Sequence, residues 1–135
     1  MLVSSVAQSN DPSLEKFGIS FIEITNQHMQ WRDRLKEQIN GTTSEAWLAR
    51  DATQYDRCAL GRWLRSTARA QFGHLPSFRD LEMAHAEFHY FAGAILTKAG
   101  QKETGRAEQI LKNEFAQATR RLMVAINEIN ALPDC

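Results

Sequence analysis

Four residues carry metal-ligating chemistry at informative positions: His28, Cys58, His85 and His89. His85 and His89 lie four apart, so on a helix their imidazoles share one face, one turn from each other. Neutral imidazole is a common metal ligand, and two on one face can serve a single ion. His28 falls between Ile24 and Trp31, where the apolar rhythm calls for a hydrophobe, and His85 and His89 interrupt the run of Leu81, Phe88 and Ala92 in the same way. Each buried imidazole brings one donor and one acceptor, and leaving such a group unpaired costs roughly 1–3 kcal/mol. One divalent ion answers all three. Cys58 supplies a candidate fourth ligand, and three imidazoles with one thiolate close a tetrahedral shell that suits zinc better than magnesium, calcium or manganese.

Spacing alone leaves a plainer reading open. A histidine on an apolar face is usually a satisfied core residue, a separation of four also arises by chance, and a single buried cysteine often behaves as a small hydrophobe. His74, in Gly73-His74-Leu75-Pro76, lies outside any apolar seam and reads as a solvated loop residue. Phe17, Phe21, Trp31, Phe88 and Phe91 read as core. Asp33, Glu82 and Glu87 read as solvated, with the option that one orients a ligand imidazole from behind. A di-iron carboxylate site needs Glu-x-x-His twice, and only Glu82-x-x-His85 is suitably placed. A catalytic zinc keeps one position open for water, so four protein donors predict a protein that is not an enzyme.

These donors need helices to bring them together. Asn10-Asp11-Pro12 has the form of a helix start, and Leu14, Phe17, Phe21, Ile24, His28, Trp31, Leu35 and Gln38 then recur at steps of three and four. Asn40-Gly41 is a stop signal. Glu45-Ala46-Trp47-Leu48 has the composition of a short helical turn. A second helix is expected over about 57–69, a third over 76–99 and a fourth over 104–131, each with an apolar stripe. No stretch alternates with period two. The expected fold is therefore all-α: an antiparallel four-helix bundle with an additional short helical segment over residues 12–132, after a disordered lead at 1–11.

Composition agrees with one globular domain: 135 residues, 43% hydrophobic and 24% charged, with sixteen basic residues against sixteen acidic. No net field draws such a chain to nucleic acid or an anionic membrane, and neither partner is expected. No run approaches the roughly 20 apolar residues a membrane span requires. The first ten residues lack a basic signal-peptide region, so the cytoplasm is the expected compartment. Two cysteines fit a reducing compartment, and Cys135, the last residue, is not expected to bridge to Cys58.

Three ordered pieces resemble the chemoreceptor zinc-binding (CZB) domain family of bacteria: His28-x-x-Trp31-Arg32, Cys58-x-Leu60-Gly61-x-Trp63-Leu64, and His85-x-x-x-His89 with Phe88 before the second histidine. Their order and mutual spacing match, and together they cover about residues 14–130. The resemblance implies a four-helix bundle binding one zinc through His28, Cys58, His85 and His89. It further implies a cytoplasmic, homodimeric regulatory domain in bacterial signalling, attached to or acting on a chemoreceptor or a diguanylate cyclase of the cyclic-di-GMP pathway. Some relatives respond to hypochlorous acid, so it also permits a redox switch at Cys58. A purely structural zinc site in an interaction module is the remaining alternative. At this length a receptor coiled coil or cyclase domain has no room, so a stand-alone member or a fragment of a longer protein is expected.

Overall fold

The computed structural model describes residues 15–133. The expected lead at 1–11, the helix start at Asn10-Asp11-Pro12 and Cys135 lie outside the described residues. Within them the chain is all-helical, and its only extended pairing is an isolated bridge between Lys16 and Ile19. That bridge closes a tight turn in which Phe17 and Gly18 both have positive φ, 58° and 84°. The expected helix at Phe17 is therefore corrected, and Leu14 lies outside the described residues. Phe17 follows the helical rhythm of the sequence but sits in the turn, and its tertiary contacts explain why. Its carbonyl accepts the Trp63 indole N–H at 2.8 Å, and its ring meets Phe72 edge-on at 4.8 Å.

Helix α1 (Phe21–Met29) starts after Ser20, whose hydroxyl accepts the Glu23 amide at 3.2 Å and satisfies one of the free donors of the first turn. Gln30 keeps right-handed helical angles, so α1 runs on into α2 (Trp31–Asn40). Gly41 ends α2 as expected, with φ 69° and its amide donated to the Glu37 carbonyl. The short helical turn falls not at 45–48 but at α3 (Ala49–Ala52). The expected second helix is split: α4 (Ala59–Arg65) and α5 (Thr67–Phe72) meet at Ser66, whose ψ of −94° leaves the helical range. α6 (Pro76–Gly100) opens on a proline, which has no first-turn amide to satisfy, and runs 25 residues without a break. The last helix is divided at Asn113 into α7 (Thr104–Lys112) and α8 (Glu114–Asn130).

α6 is the central element and packs along α7 and α8, on α2 and on α3, while α1 lies against α8. Phe78, Leu81, Phe88 and Ile95 of α6 share one buried cluster with Leu35, Phe115, Leu122, Ile126 and Ile129. No helix among the described residues is long and apolar enough to cross a membrane.

The loop into α4 is set by one close approach. A Cβ placed on Gly61 would lie 1.9 Å from the Tyr55 carbonyl oxygen and 2.9 Å from the Asp56 Cα, both backbone atoms. Only a hydrogen lets α4 sit this tightly on the loop that leads to Cys58. Gly61→Ala is expected to destabilise the fold by about 1–3 kcal/mol in denaturant unfolding, as overpacking does. Gly105→Ala meets nothing within 4 Å, and is expected to be neutral or to stabilise by about 0.4–1 kcal/mol. Equal stability of the two variants would contradict this account.

Candidate metal centre

The structure brings together all four residues singled out from the sequence. His28 comes from the last turn of α1, Cys58 caps the start of α4, and His85 and His89 lie on the inner face of α6. One donor atom from each falls within 4.8 Å of the others. The Cys58 Sγ is 3.2 Å from the His85 Nε2 and 3.8 Å from the His89 Nε2, and the two Nε2 atoms are 3.0 Å apart. His74, read from the sequence as a solvated loop residue, is exposed in the turn between α5 and α6.

Ring orientation follows from what the other nitrogens do. The His28 Nδ1 lies 2.9 Å from the Ile24 carbonyl and the His89 Nδ1 lies 2.8 Å from the Ala52 carbonyl. A carbonyl only accepts, so both Nδ1 atoms carry the proton and both rings, when neutral, keep a lone pair on Nε2. Backbone carbonyls thus do the orienting that sequence reasoning offered to carboxylates. Glu82 is engaged by Arg69, Glu87 by Arg121 at 3.0 Å, and Asp33 lies beside Arg32 at the surface. The Ile24 carbonyl is one helical turn before His28 and was within reach of a sequence argument. The Ala52 carbonyl, 37 residues from His89, was not.

His85 is different. Its Nδ1 is buried and has no hydrogen-bond partner. As a donor it lacks an acceptor, and as an acceptor it lacks a donor, so neither neutral tautomer satisfies the ring on that side.

The site is largely enclosed, and among the described residues no carboxylate pairs with any of its four members. His28, His85 and His89 are 3%, 0% and 1% exposed, whereas Cys58 is partly open. Trp31 meets His89 edge-on at 4.7 Å and Phe88 lies 5.1 Å from His28. Trp47 covers Trp31, with the Arg34 guanidinium 3.9 Å above its ring. Desolvation lowers the pKa of all three histidines: well below the usual value for His85, where His89 and His28 add repulsion, and to about 4 for His89 despite its bond to Ala52. Burial raises the Cys58 thiol, and the amides of Gly61 and Leu60 with the Arg62 charge offset only part of that. Imidazoles held neutral are ready to bind a cation. The thiol needs one to become a thiolate.

Donor spacing is close to what zinc requires. Tetrahedral zinc, with nitrogens at about 2.0–2.1 Å and sulfur at about 2.3 Å, sets its donors roughly 3.3–3.6 Å apart. The separations among Cys58, His85 and His89, 3.0, 3.2 and 3.8 Å, lie around that range, while the set including His28 spreads to 4.8 Å and would draw in by about 1 Å on a bound ion. A family model for the chemoreceptor zinc-binding domain matches residues 28–96, a span that begins at His28 and holds all four donors. The chain belongs to this family. No curated protein and no solved structure matches the chain. As a chemoreceptor zinc-binding domain it takes zinc as its cofactor, and the donor set gathered by α1, α4 and α6 is chemically suited to that ion.

Buried neutral histidines make the metal-free domain acid-sensitive. In the unfolded chain His89 titrates near 6.5, and in the fold near 4. Stability from this group is therefore present above pH 6.5 and is lost as pH falls toward about 4. The expected loss is roughly 2–3 kcal/mol from this residue, read from urea unfolding in chelator across the window. His89→Gln should show a shallower slope there. Identical slopes would contradict the assignment.

Proposed function

We propose that the chain is a zinc-dependent regulatory domain in which His28, Cys58, His85 and His89 hold one Zn2+ and the bound state is passed to a signalling partner. The reading rests on one observation above all: donors from three separate helices converge within 4.8 Å in a buried site. In this reading the helices pair as an antiparallel four-helix bundle, with α1–α2, α4–α5, α6 and α7–α8 as its members and α3 as the extra segment. The domain, over 12–132, works in the cytoplasm of a bacterium, as a homodimer, on a chemoreceptor or diguanylate cyclase pathway.

When bound, zinc supplies a positive charge that cross-links the helices and holds the Cys58 sulfur as thiolate. The chain's own residues do the rest. Ile24 and Ala52 fix two rings with Nε2 inward, α4 delivers the sulfur, and Trp31, Trp47 and Phe88 keep water out. Affinity for the ion and packing of α1, α4 and α6 are then linked quantities. Four protein donors leave no open position for water, which supports a regulatory role over a catalytic one.

A second reading, oxidant sensing at Cys58, draws on that residue being the only member of the set that is not fully enclosed. Oxidation to sulfenic acid would remove the thiolate from the shell. Mass spectrometry after mild hypochlorous acid, with zinc release followed in parallel, decides it. A Cys58 that stays reduced while zinc leaves or stays sinks this version.

Metal analysis of the purified protein is expected to give about one zinc per chain, with Cys58→Ala and His89→Ala each losing at least ~10-fold in affinity. Unchanged zinc content in both variants would place the ion elsewhere. Near neutral pH the three imidazoles are already deprotonated and the thiol is not, so binding should release about one proton per zinc. Calorimetry in buffers of different ionisation enthalpy counts it. Release of two or more would mean the histidines are charged in the metal-free fold. Chelation should also loosen α1 in hydrogen exchange, and unchanged exchange would leave zinc a purely structural part.

A further inference from the structure

α6 has an outer face as well as an inner one. Met83 stands two residues from His85, roughly 200° around the helix, and is 63% exposed. It faces Val124 of α8, 58% exposed, across a groove of about 610 Å³ floored by Ala84 and Ala125. Charges line both ends of this apolar strip. The Glu87–Arg121 ion pair, 3.0 Å, crosses the groove from α6 to α8. Seven residues back along α6 is Asp80, and seven forward along the antiparallel α8 is Glu128. Both line the same groove, about 10 Å from the ion pair. That end therefore carries two carboxylates. At the other end Arg120 adds a cation beside the neutralised pair. None of Asp80, Glu128 and Arg120 has an ion-pair partner among the described residues.

We propose that this groove is the two-fold contact between two copies of the chain, with Met83 and Val124 packed across the axis and Asp80 and Glu128 of each copy facing Arg120 of the other. A surface that is acidic at one end, apolar in the middle and basic at the other is complementary to itself when turned through a two-fold axis, which is what an isologous contact requires. The apolar centre supplies the buried contact and the charged ends set orientation and register. The inference deepens the dimer reading above by naming its face, and it does not depend on the zinc ligands.

Sedimentation of the zinc-loaded full chain tests it. Arg120→Glu leaves both ends acidic, and the double variant Asp80→Lys with Glu128→Lys leaves both ends basic. All three positions are exposed, so the fold tolerates the changes. The wild type should dimerise, and each variant alone should self-associate at least ~10-fold more weakly. An equimolar mixture of the two variants should recover the dimer, which no folding defect would do. A wild-type dimer indifferent to the variants and to mixing overturns this face but leaves the dimer reading. A wild type that stays monomeric overturns both.

Discussion

Three imidazoles and a thiol converge with no carboxylate among the described residues paired to any of them, and the rest of the molecule is arranged around that constraint. Desolvation holds the rings neutral, so their mutual closeness is tolerable: two Nε2 atoms can stand 3.0 Å apart because neither ring is charged. Tolerable is not the same as satisfied. The Nε2 lone pairs of His28 and His89 are committed inward by the carbonyls of Ile24 and Ala52. A proton on His85 could bridge one contact, yet its Nδ1 would still be orphaned. A single divalent cation removes the repulsion among lone pairs and draws the sulfur into its charged form. Polar clusters satisfied only by an absent partner are poor core and good binding sites.

The least regular part of the chain is tied to the most regular part at this point. Residues 49–58 hold only one helical turn, yet they contribute the Ala52 carbonyl that orients His89 and the Cys58 sulfur beside it. Two steric contacts set where this segment lies. Gly93 lets Thr53 approach α6, where a Cβ would come within 2.3 Å of the threonine methyl, and Gly61 lets α4 close on Tyr55. The segment therefore reaches α6 through a carbonyl, a sulfur and a methyl. Two of these three contacts touch the metal-ligating set, so the position of 49–58 and affinity for the ion are bound to vary together.

The legible features were those encoded by local chemistry. Polar rings at apolar steps exposed His28, His85 and His89, a proline and a glycine marked the limits of α6, and Gly41 marked the end of α2. Cys58 stood out as the cysteine in the body of the chain, and the ordered motifs joined it to the histidines. What was missed depends on contacts between distant segments. Phe17 fits the apolar rhythm of α1, but Trp63 takes its carbonyl and Phe72 its ring, which favours a turn. Ser66 and Asn113 break helices whose sequences carry no glycine or proline there, and only their dihedral angles reveal it. The carboxylates considered for ring orientation were already occupied by Arg69 and Arg121, from α5 and α8.

A metal centre regulates only if something beyond it differs between the bound and free states, and α6 is the element able to carry that difference. It is unbroken for 25 residues, it bears two donors on one face, and it presents Asp80, Met83 and Glu87 on the other. Rigid packed helices move as units and do not deform smoothly, so a shift imposed at His85 and His89 must appear at Met83 as well. A contact made at the outer face would be felt at the ligands with equal free energy, because linkage between two binding events is reciprocal. Self-association and metal affinity are in that case two readings of one coordinate, the position of α6 against α8. A domain this small needs no longer pathway than the width of one helix.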